Sequence, residues 1–331
     1  MKREQIAKNI VADLKELAAL TSDADGAQRV AWTPTFKKAT EWFTQKMQAA
    51  GADVWTDAAG NSWAKFAGES KECIVIGSHL DSVPDGGWLD GALGVVAGMG
   101  IGAYGLADKK PAKTLYVVGW ADEEGVAFGK SCLGSSAVSG IVTSKDVLPL
   151  IHQENGRSFS DVWQEYGLDA NRIGEAHTAF AKLPVKAYLE LHIEQGGVLE
   201  AEKKQIGIVT SIVGQWGGSV VLRGKQNHAG TTPMKLRQDP VPVMASFIHD
   251  MFSRVKPYED EMVLTVGKIE LFPGSVNVIP DRASFTFDIR SASQELGSRA
   301  MRMLEELRDK YSKKIEIEII PAWEDAPVLL N

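Results

Sequence analysis

Residues Cys73 to Gly100 constrain this chain more than any other stretch. They read CIVIGSHLDSVPDGGWLDGALGVVAGMG: a short apolar run, a polar loop with His79, Asp81, Asp85 and Asp90, then a glycine-rich run of small residues that reads as a helix. The run Cys73 to Ile76 is bounded by charge on one side and glycine on the other, the pattern of a strand buried on both faces of a parallel sheet. His79 and Asp81 then fall just past its carboxyl end, where open α/β sheets bind their ligands. A His-x-Asp pair followed by another Asp at a helix start reads as half of a metal site, the carboxylate orienting the imidazole. The alternative is a polar loop in which Asp90 caps the helix.

Two further strands end the same way. Thr114 to Trp120 (TLYVVGW) runs straight into Ala121-Asp122-Glu123-Glu124-Gly125, and Lys186 to Glu194 (KAYLELHIE) delivers His192, Glu194 and Gln195. Upstream, Lys2 to Ala19 and Thr33 to Ala50 have the spacing of amphipathic helices, with Trp42, Phe43 and Met47 on one face of the second and Gly51 ending it. Val54 to Thr56 and Ser62 to Phe66 flank DAAGN as a hairpin. Helical pieces are expected near Asp146 to His152 and Ser160 to Tyr166.

From about Gly207 the pattern changes. Strands at Ser219 to Arg223, Met262 to Leu271, Ala283 to Arg290 and Ile315 to Ile320, with helices at Pro240 to Val255 and Glu295 to Tyr311, give the order β-α-β-β-α-β of a ferredoxin-like unit. At 331 residues the chain is long enough for two domains. The expected architecture is therefore α/β: a mostly parallel-sheet domain over 1–209 with a ferredoxin-like (βαββαβ) unit inserted after it over 210–325, leaving 326–331 beyond that unit.

Charge and cysteine content narrow the partners. A net charge of −7 without a Lys/Arg block argues against nucleic acid or acidic membranes. Cys73 and Cys132 are the only cysteines, too few for a disulfide framework, and the N-terminal helix carries charge throughout, so a cytoplasmic protein is expected.

The side chains at the strand ends suggest the chemistry. Adjacent carboxylates such as Glu123-Glu124 cost stability unless something justifies them; a metal ion does, by ligating one while the other serves as general base. The alternative is a solvated acidic turn. His192 alone would read as a satisfied core histidine, but its neighbours make an unusually polar strand exit. His228 lies in GKQNHAGTTPM, a run of donors suited to an oxyanion. Arg290 either pairs with Asp288 or Asp281, or grips a substrate carboxylate with its planar fork. Asn277 is the other conspicuous polar position there.

Taken together, GSHLDSVPDGGWLDGALGV, ADEEGVAFG, ELHIEQG, NHAGTTPM and SVNVIPD with FDIR resemble, in order, the two-metal amidohydrolases of the aminoacylase and carboxypeptidase G superfamily. Within it the resemblance is to the N-carbamoyl-L-amino-acid hydrolase, β-ureidopropionase and allantoate amidohydrolase group. It implies that His79 and His192 bind one divalent ion (Zn2+, Mn2+, Co2+ or Ni2+), that Asp90 bridges to a second, and that Glu124 binds that second ion. It further implies Asp81 orienting His79, Glu123 as general base, His228 polarising the scissile carbonyl, and Gln195, Asn277, Arg290 and His228 holding the substrate. It makes 1–209 the metal-binding catalytic domain, 210–325 the lid and 326–331 the start of a return to the catalytic domain; the implied reaction is hydrolysis of a carbamoyl or ureido C–N bond in a small acid, by a homodimer joined through the lid. The rival readings are an aminoacylase or dipeptidase of the same superfamily, and a non-catalytic binding or dimerising protein.

Two departures stand out. Ala127 occupies a position where the family often has a basic residue, which bears on the substrate subgroup. Family chains also return from the lid with a Gly-His-Asp-Ala-like loop whose histidine completes the second metal site, whereas this sequence ends at Asn331 and has no His after His249. Taken as it stands, it implies a second ion held by Asp90 and Glu124 alone and weak or absent activity.

Overall fold

A computed structural model of the chain describes residues 2–107, 109–313 and 315–330. The chain divides between Gly197 and Val198 into two units, each with its own core. The sequence reading places a boundary at 209/210; within the second unit Ser211–Ile212 pairs with Val328–Leu329.

In the first unit, helix α2 (Pro34–Ala49) shows how sequence sets structure. Thr33 caps it, its hydroxyl accepting from the Phe36 amide, and Pro34 occupies the first turn, where its missing N–H is harmless. Its apolar face of Phe36, Ala39, Trp42, Phe43 and Met47 packs with Leu14 and Leu17 of α1 (Arg3–Thr21) over the sheet. Each large side chain fully buried there contributes about 1.5–3 kcal/mol. Lys46 ties the two helices polarly, meeting Asp13 at 2.9 Å and Glu16 at 2.6 Å.

The sheet has the order β1–β2–β4–β3–β5, with β1 Asp53–Thr56, β2 Ser62–Phe66, β3 Ser70–His79, β4 Lys113–Trp120 and β5 Val185–Leu189. β1 and β2 form the expected antiparallel hairpin, while β4, β3 and β5 run parallel. The carboxyl ends of these three parallel strands therefore share one edge, as the sequence leads one to expect.

Three boundaries differ from the sequence reading. β5 stops at Leu189, so His192 lies beyond the strand, in irregular chain. Glu190 leaves the ladder because its carboxylate is taken by the Ser78 hydroxyl at 2.5 Å and by the Tyr188 hydroxyl. The expected helix at Asp146 to His152 is a single turn, Ser144–Val147, which the Thr143/Asp146 capping box starts and which Pro149, lacking an N–H, cannot prolong. Asp90 does not cap helix α3 (Ala92–Gly100): Gly91 holds that position, with no side-chain cap, and the Asp90 carboxylate is free for other use.

The second unit is the expected βαββαβ. Its strands are β6 (Gly214–Arg223), β7 (Met262–Thr265), β8 (Ile269–Phe272), β9 (Arg282–Ser291) and β10 (Glu316–Asp325). β9 and β10 flank β6, and β7 and β8 both pair with β9. Met262 to Leu271 is thus two strands rather than one. The break at Lys268 is fixed by the Thr286 hydroxyl, which accepts from its amide at 3.1 Å. Trp216, Phe247, Phe285, Phe287 and Leu304 centre the core under the helices Pro240–Val255 and Gln294–Tyr311. No helix among the described residues is long and apolar enough to cross a membrane.

Candidate metal centre

β3 ends on His79, and the loop after it folds so that ligand-type side chains from three strand ends meet. Ring nitrogens and carboxylate oxygens of His79, Asp90 and His192 gather in one group within 4.8 Å of one another; those of His79, Glu123 and Glu124 form a second. His192 Nε2 lies 3.3 Å and His79 Nε2 3.9 Å from the same atom, Asp90 Oδ1. Glu123 Oε2 is 3.7 Å from His79 Nε2.

The other ring nitrogens assign the tautomers. His79 Nδ1 is 3.0 Å from the backbone oxygen of Asp81, and His192 Nδ1 is 2.9 Å from that of Ile193. A carbonyl only accepts, so each Nδ1 carries the proton and each Nε2 presents a lone pair. Two lone pairs thus converge on a carboxylate oxygen that is itself buried without a hydrogen-bond partner. Such a grouping is repulsive by itself and becomes favourable around a cation, so the residues fit a divalent metal ion.

Supporting contacts fix these groups. Gln195, whose φ is +55°, donates its amide to Asp90 Oδ2 at 2.7 Å. Asp81 is wholly buried; its Oδ2 accepts from the Glu124 amide at 3.0 Å, while its Oδ1 stands 3.8 Å from His79 Nδ1. The backbone carbonyl of Asp81, more than its carboxylate, therefore sets the His79 ring. Gly91 closes over that ring in a left-handed conformation (φ +62°): a Cβ there would lie 2.5 Å from the imidazole. Gly94 lets α3 approach equally closely, since its Cβ would lie 2.5 Å from the Leu191 carbonyl.

Electrostatics follow from crowding. Burial raises the Glu124 carboxyl above its ordinary value, opposed by His79 and assisted by Glu123. Burial lowers the His79 imidazole, but Asp81 and Glu123 outweigh it and leave the ring above its usual value. The Glu123 carboxylate is partly exposed and reachable from solvent. Cys132 borders it, its amide donating to the Glu123 carbonyl at 2.7 Å and its Sγ lying 3.6 Å from Oε1; burial pushes that thiol up to about 12.

In the second unit, Asn227–His228 pairs with Val278–Ile279, and the Ala229 amide donates to the Asn277 carbonyl at 2.9 Å. His228 Nδ1 accepts from the amides of Gly230 (3.0 Å) and Thr231 (3.3 Å), so its proton sits on the outward Nε2. Arg290 is held by Asp288, Nη2 to Oδ2 at 2.8 Å, one of the pairings its sequence context allows.

Four supporting residues carry no signal that assigns them from sequence. Arg29 and Asp122 are wholly buried, and Trp32 donates to Asp122 Oδ2 at 2.7 Å. The Asn61 side chain accepts from the Ala121 amide (2.9 Å) and donates to the Gly134 carbonyl (3.2 Å), clamping the loop that carries Glu123. Only Asn61, within DAAGN, and Asp122, next to Glu123-Glu124, lie in stretches the sequence marks out.

Comparison with known proteins agrees with this geometry. Residues 75–331 match the model of peptidase family M20/M25/M40. The chain is 35% identical over 295 residues to an N-carbamoyl-L-amino-acid amidohydrolase of Paenarthrobacter aurescens, covering 87% of this chain and 70% of that one. It is 34% identical over 313 residues to an allantoate amidohydrolase of Escherichia coli K12, covering 93% and 75%. The crystal structure of a hydantoinase/carbamoylase family amidase from Burkholderia phymatum superposes with a TM-score of 0.84 at 32% identity, over 98% of this chain and 79% of that one. With a mainly parallel sheet carrying metal-competent groups at the carboxyl edge of its parallel strands, a βαββαβ unit and these likenesses along most of its length, the chain belongs to peptidase family M20/M25/M40.

Proposed function

We propose that the chain is a metal-dependent amidohydrolase that cleaves the carbamoyl or ureido C–N bond of an N-carbamoyl-L-amino acid or a related ureido acid of the allantoate type. The observation that carries this reading is the convergence of the His79 and His192 Nε2 lone pairs on the unpartnered Asp90 Oδ1, beside Glu123 and Glu124. His79, His192 and Asp90 would hold one divalent ion, and Asp90 with Glu124 a second; zinc, manganese, cobalt and nickel all suit such N/O donors. Bound ions of this kind supply Lewis acidity, which makes water a nucleophile at neutral pH and polarises a carbonyl.

The protein's own groups do the rest. Glu123 takes the proton of the attacking water on a carboxylate oxygen and returns it to the departing nitrogen. His228, with its proton on Nε2, is suited to donate to the carbonyl oxygen as negative charge grows there. Arg290, with Gln195 and Asn277, holds the substrate; Asp288 takes the Nε/Nη2 edge of its guanidinium, and the Nη1 side is the part offered to the substrate carboxylate. In this reading the first unit is catalytic and the second is the lid and the dimerisation surface. Both cysteines are free, in keeping with the cytoplasm.

Purified protein supplied with Mn2+ or Zn2+ tests the reading. Ammonia release, however slow, is expected from N-carbamoyl amino acids or allantoate, and N-acetyl amino acids should be poorer substrates still. Glu123→Gln should lower turnover at least about 100-fold with metal content unchanged. Preference for N-acetyl substrates or dipeptides, or a fully active Glu123→Gln protein, sinks it.

A further inference from the structure

Arg29 precedes the first helix-forming turn of α2 and belongs to no motif, yet it is the largest charged side chain wholly removed from solvent. No carboxylate pairs with it at ion-pair distance among the described residues. A guanidinium normally avoids such a place, because an unpaired buried charge is costly. Its contacts explain where it has been put. Nε donates to the Leu80 carbonyl at 2.7 Å. Its backbone amide donates to Ser82 Oγ at 3.1 Å, and the Ser82 amide donates back to the Arg29 carbonyl at 3.1 Å. The flanking chain continues this lacing, with Ala27 and Gly86 exchanging amide bonds and Gln28 reaching Asp85 Oδ1 at 2.7 Å.

Arg29 thus grips the residues immediately before and after Asp81. Asp81 in turn touches both metal-competent groups, its carbonyl meeting His79 Nδ1 and its carboxylate accepting the Glu124 amide. A shift of either flanking peptide would turn the Asp81 carbonyl away from the imidazole and release the loop that carries Glu124. The charge has a reason as well: Arg29 Nη2 is buried without a partner, and the anionic Asp81 and Asp90 supply the field that offsets it.

We infer that Arg29 is a positioning residue of the metal centre, a buried clamp that fixes the Leu80–Ser82 loop and, through Asp81, the orientation of His79 and the placement of Glu124. The inference rests on the metal reading given above. Groups that orient a ligand from behind typically change metal affinity 10- to 100-fold when altered. A planar fork is required because Nε must meet Leu80 while the rest of the group stays aligned within a packed wall; the single ammonium of lysine offers the charge without that geometry.

The test compares Arg29→Lys and Ser82→Ala with the parent, measuring Zn2+ and Mn2+ affinity by competition with a chromophoric chelator. Unfolding temperatures are recorded with and without metal. Arg29→Lys should weaken the tighter ion about 10- to 100-fold and shrink the metal-induced rise in Tm. Ser82→Ala removes one strap without touching the buried charge and should give a smaller loss in the same direction. A purely structural arginine would lower both unfolding temperatures equally and leave affinity within twofold of the parent, and that result overturns the inference. Should Arg29→Lys fail to fold, Ser82→Ala decides: weakened affinity supports the clamp and parent-like affinity overturns it. Parent protein that binds no divalent ion at all overturns the metal reading itself, a result separate from parent-like affinity in the variants.

Discussion

Gln195 donates its side-chain amide to Oδ2 of Asp90 at 2.7 Å, and this bond leaves Oδ1 of the same carboxylate facing the Nε2 atoms of His79 and His192. One contact therefore decides which oxygen of Asp90 is offered to a cation. Gln195→Ala should lower affinity for the first ion about tenfold, as loss of an orienting partner does. Gln195→Glu should cost more in the metal-free protein, since it sets a carboxylate against a carboxylate. Calorimetric titration with Zn2+ measures the affinities and urea unfolding without metal measures the cost of Gln195→Glu; equal affinity in the parent and Gln195→Ala refutes the orienting role.

Gly91 tests the same centre from above the His79 ring. Its backbone (φ +62°, ψ −47°) lies in a sparsely populated region that costs a residue bearing a Cβ about 1–3 kcal/mol. The added carbon would also lie 2.5 Å from three ring atoms, so the imidazole would have to move. Gly91→Ala is expected to fold with a lowered unfolding midpoint and to lose most metal binding. Gly87→Ala is the matched control: its Cβ would come no closer than 4.0 Å, to Asp90 Cβ, and it should behave like the parent.

Much of this centre is legible in sequence because its ligands come directly after continuous apolar runs. Cys73 to Ile76 and Thr114 to Trp120 are strands in the structure as their composition suggests, and side chains just past the end of a parallel strand are carried to the sheet's ligand-binding edge. The βαββαβ unit is legible for the same reason, its periodicity being local. Contacts that depend on distant sequence are not. Arg29 meets Leu80 across 51 positions and Trp32 meets Asp122 across 90, and neither leaves a pattern in its own neighbourhood. The end of β5 is hidden because alternation persists through KAYLELHIE, while pairing with β3 is last made at Leu189. Only the third dimension reveals that Glu190 bonds to Ser78 instead.

Trp32 anchors Asp122, the residue before Glu123. The indole N–H meets Asp122 Oδ2 at 2.7 Å, and the ring packs on Phe36, Trp163 and Tyr166. Trp32→Phe keeps an aromatic ring but leaves a buried carboxylate oxygen without its donor, a loss of about 1–3 kcal/mol in chemical denaturation. Because Asp122 also has φ +53°, the freed loop should relax and misplace Glu123. A fall in kcat with KM and metal stoichiometry retained is the expected kinetic signature. Unchanged kcat would confine Trp32 to stability.

A pH effect away from the metal centre arises at Glu72 on β3, which receives hydrogen bonds from Lys113 on β4 and from Lys186 on β5, the latter at 2.9 Å. The three parallel strands are thus linked by one carboxylate at the sheet's other end. Lys113 first and Lys186 second hold the Glu72 carboxyl well below its ordinary value, at about 2. A depressed carboxyl pKa stabilises the fold when pH lies above the unfolded-state value, and that contribution fades as pH falls from there through the folded-state pKa. Glu72→Gln should therefore be less stable than the parent at pH 7, with the gap closing progressively as pH falls from about 4.5 towards 2. All three side chains reach solvent, so added salt should also narrow the gap at pH 7. Urea midpoints of the two proteins across pH and salt measure it, and a gap that widened on acidification would contradict the assignment.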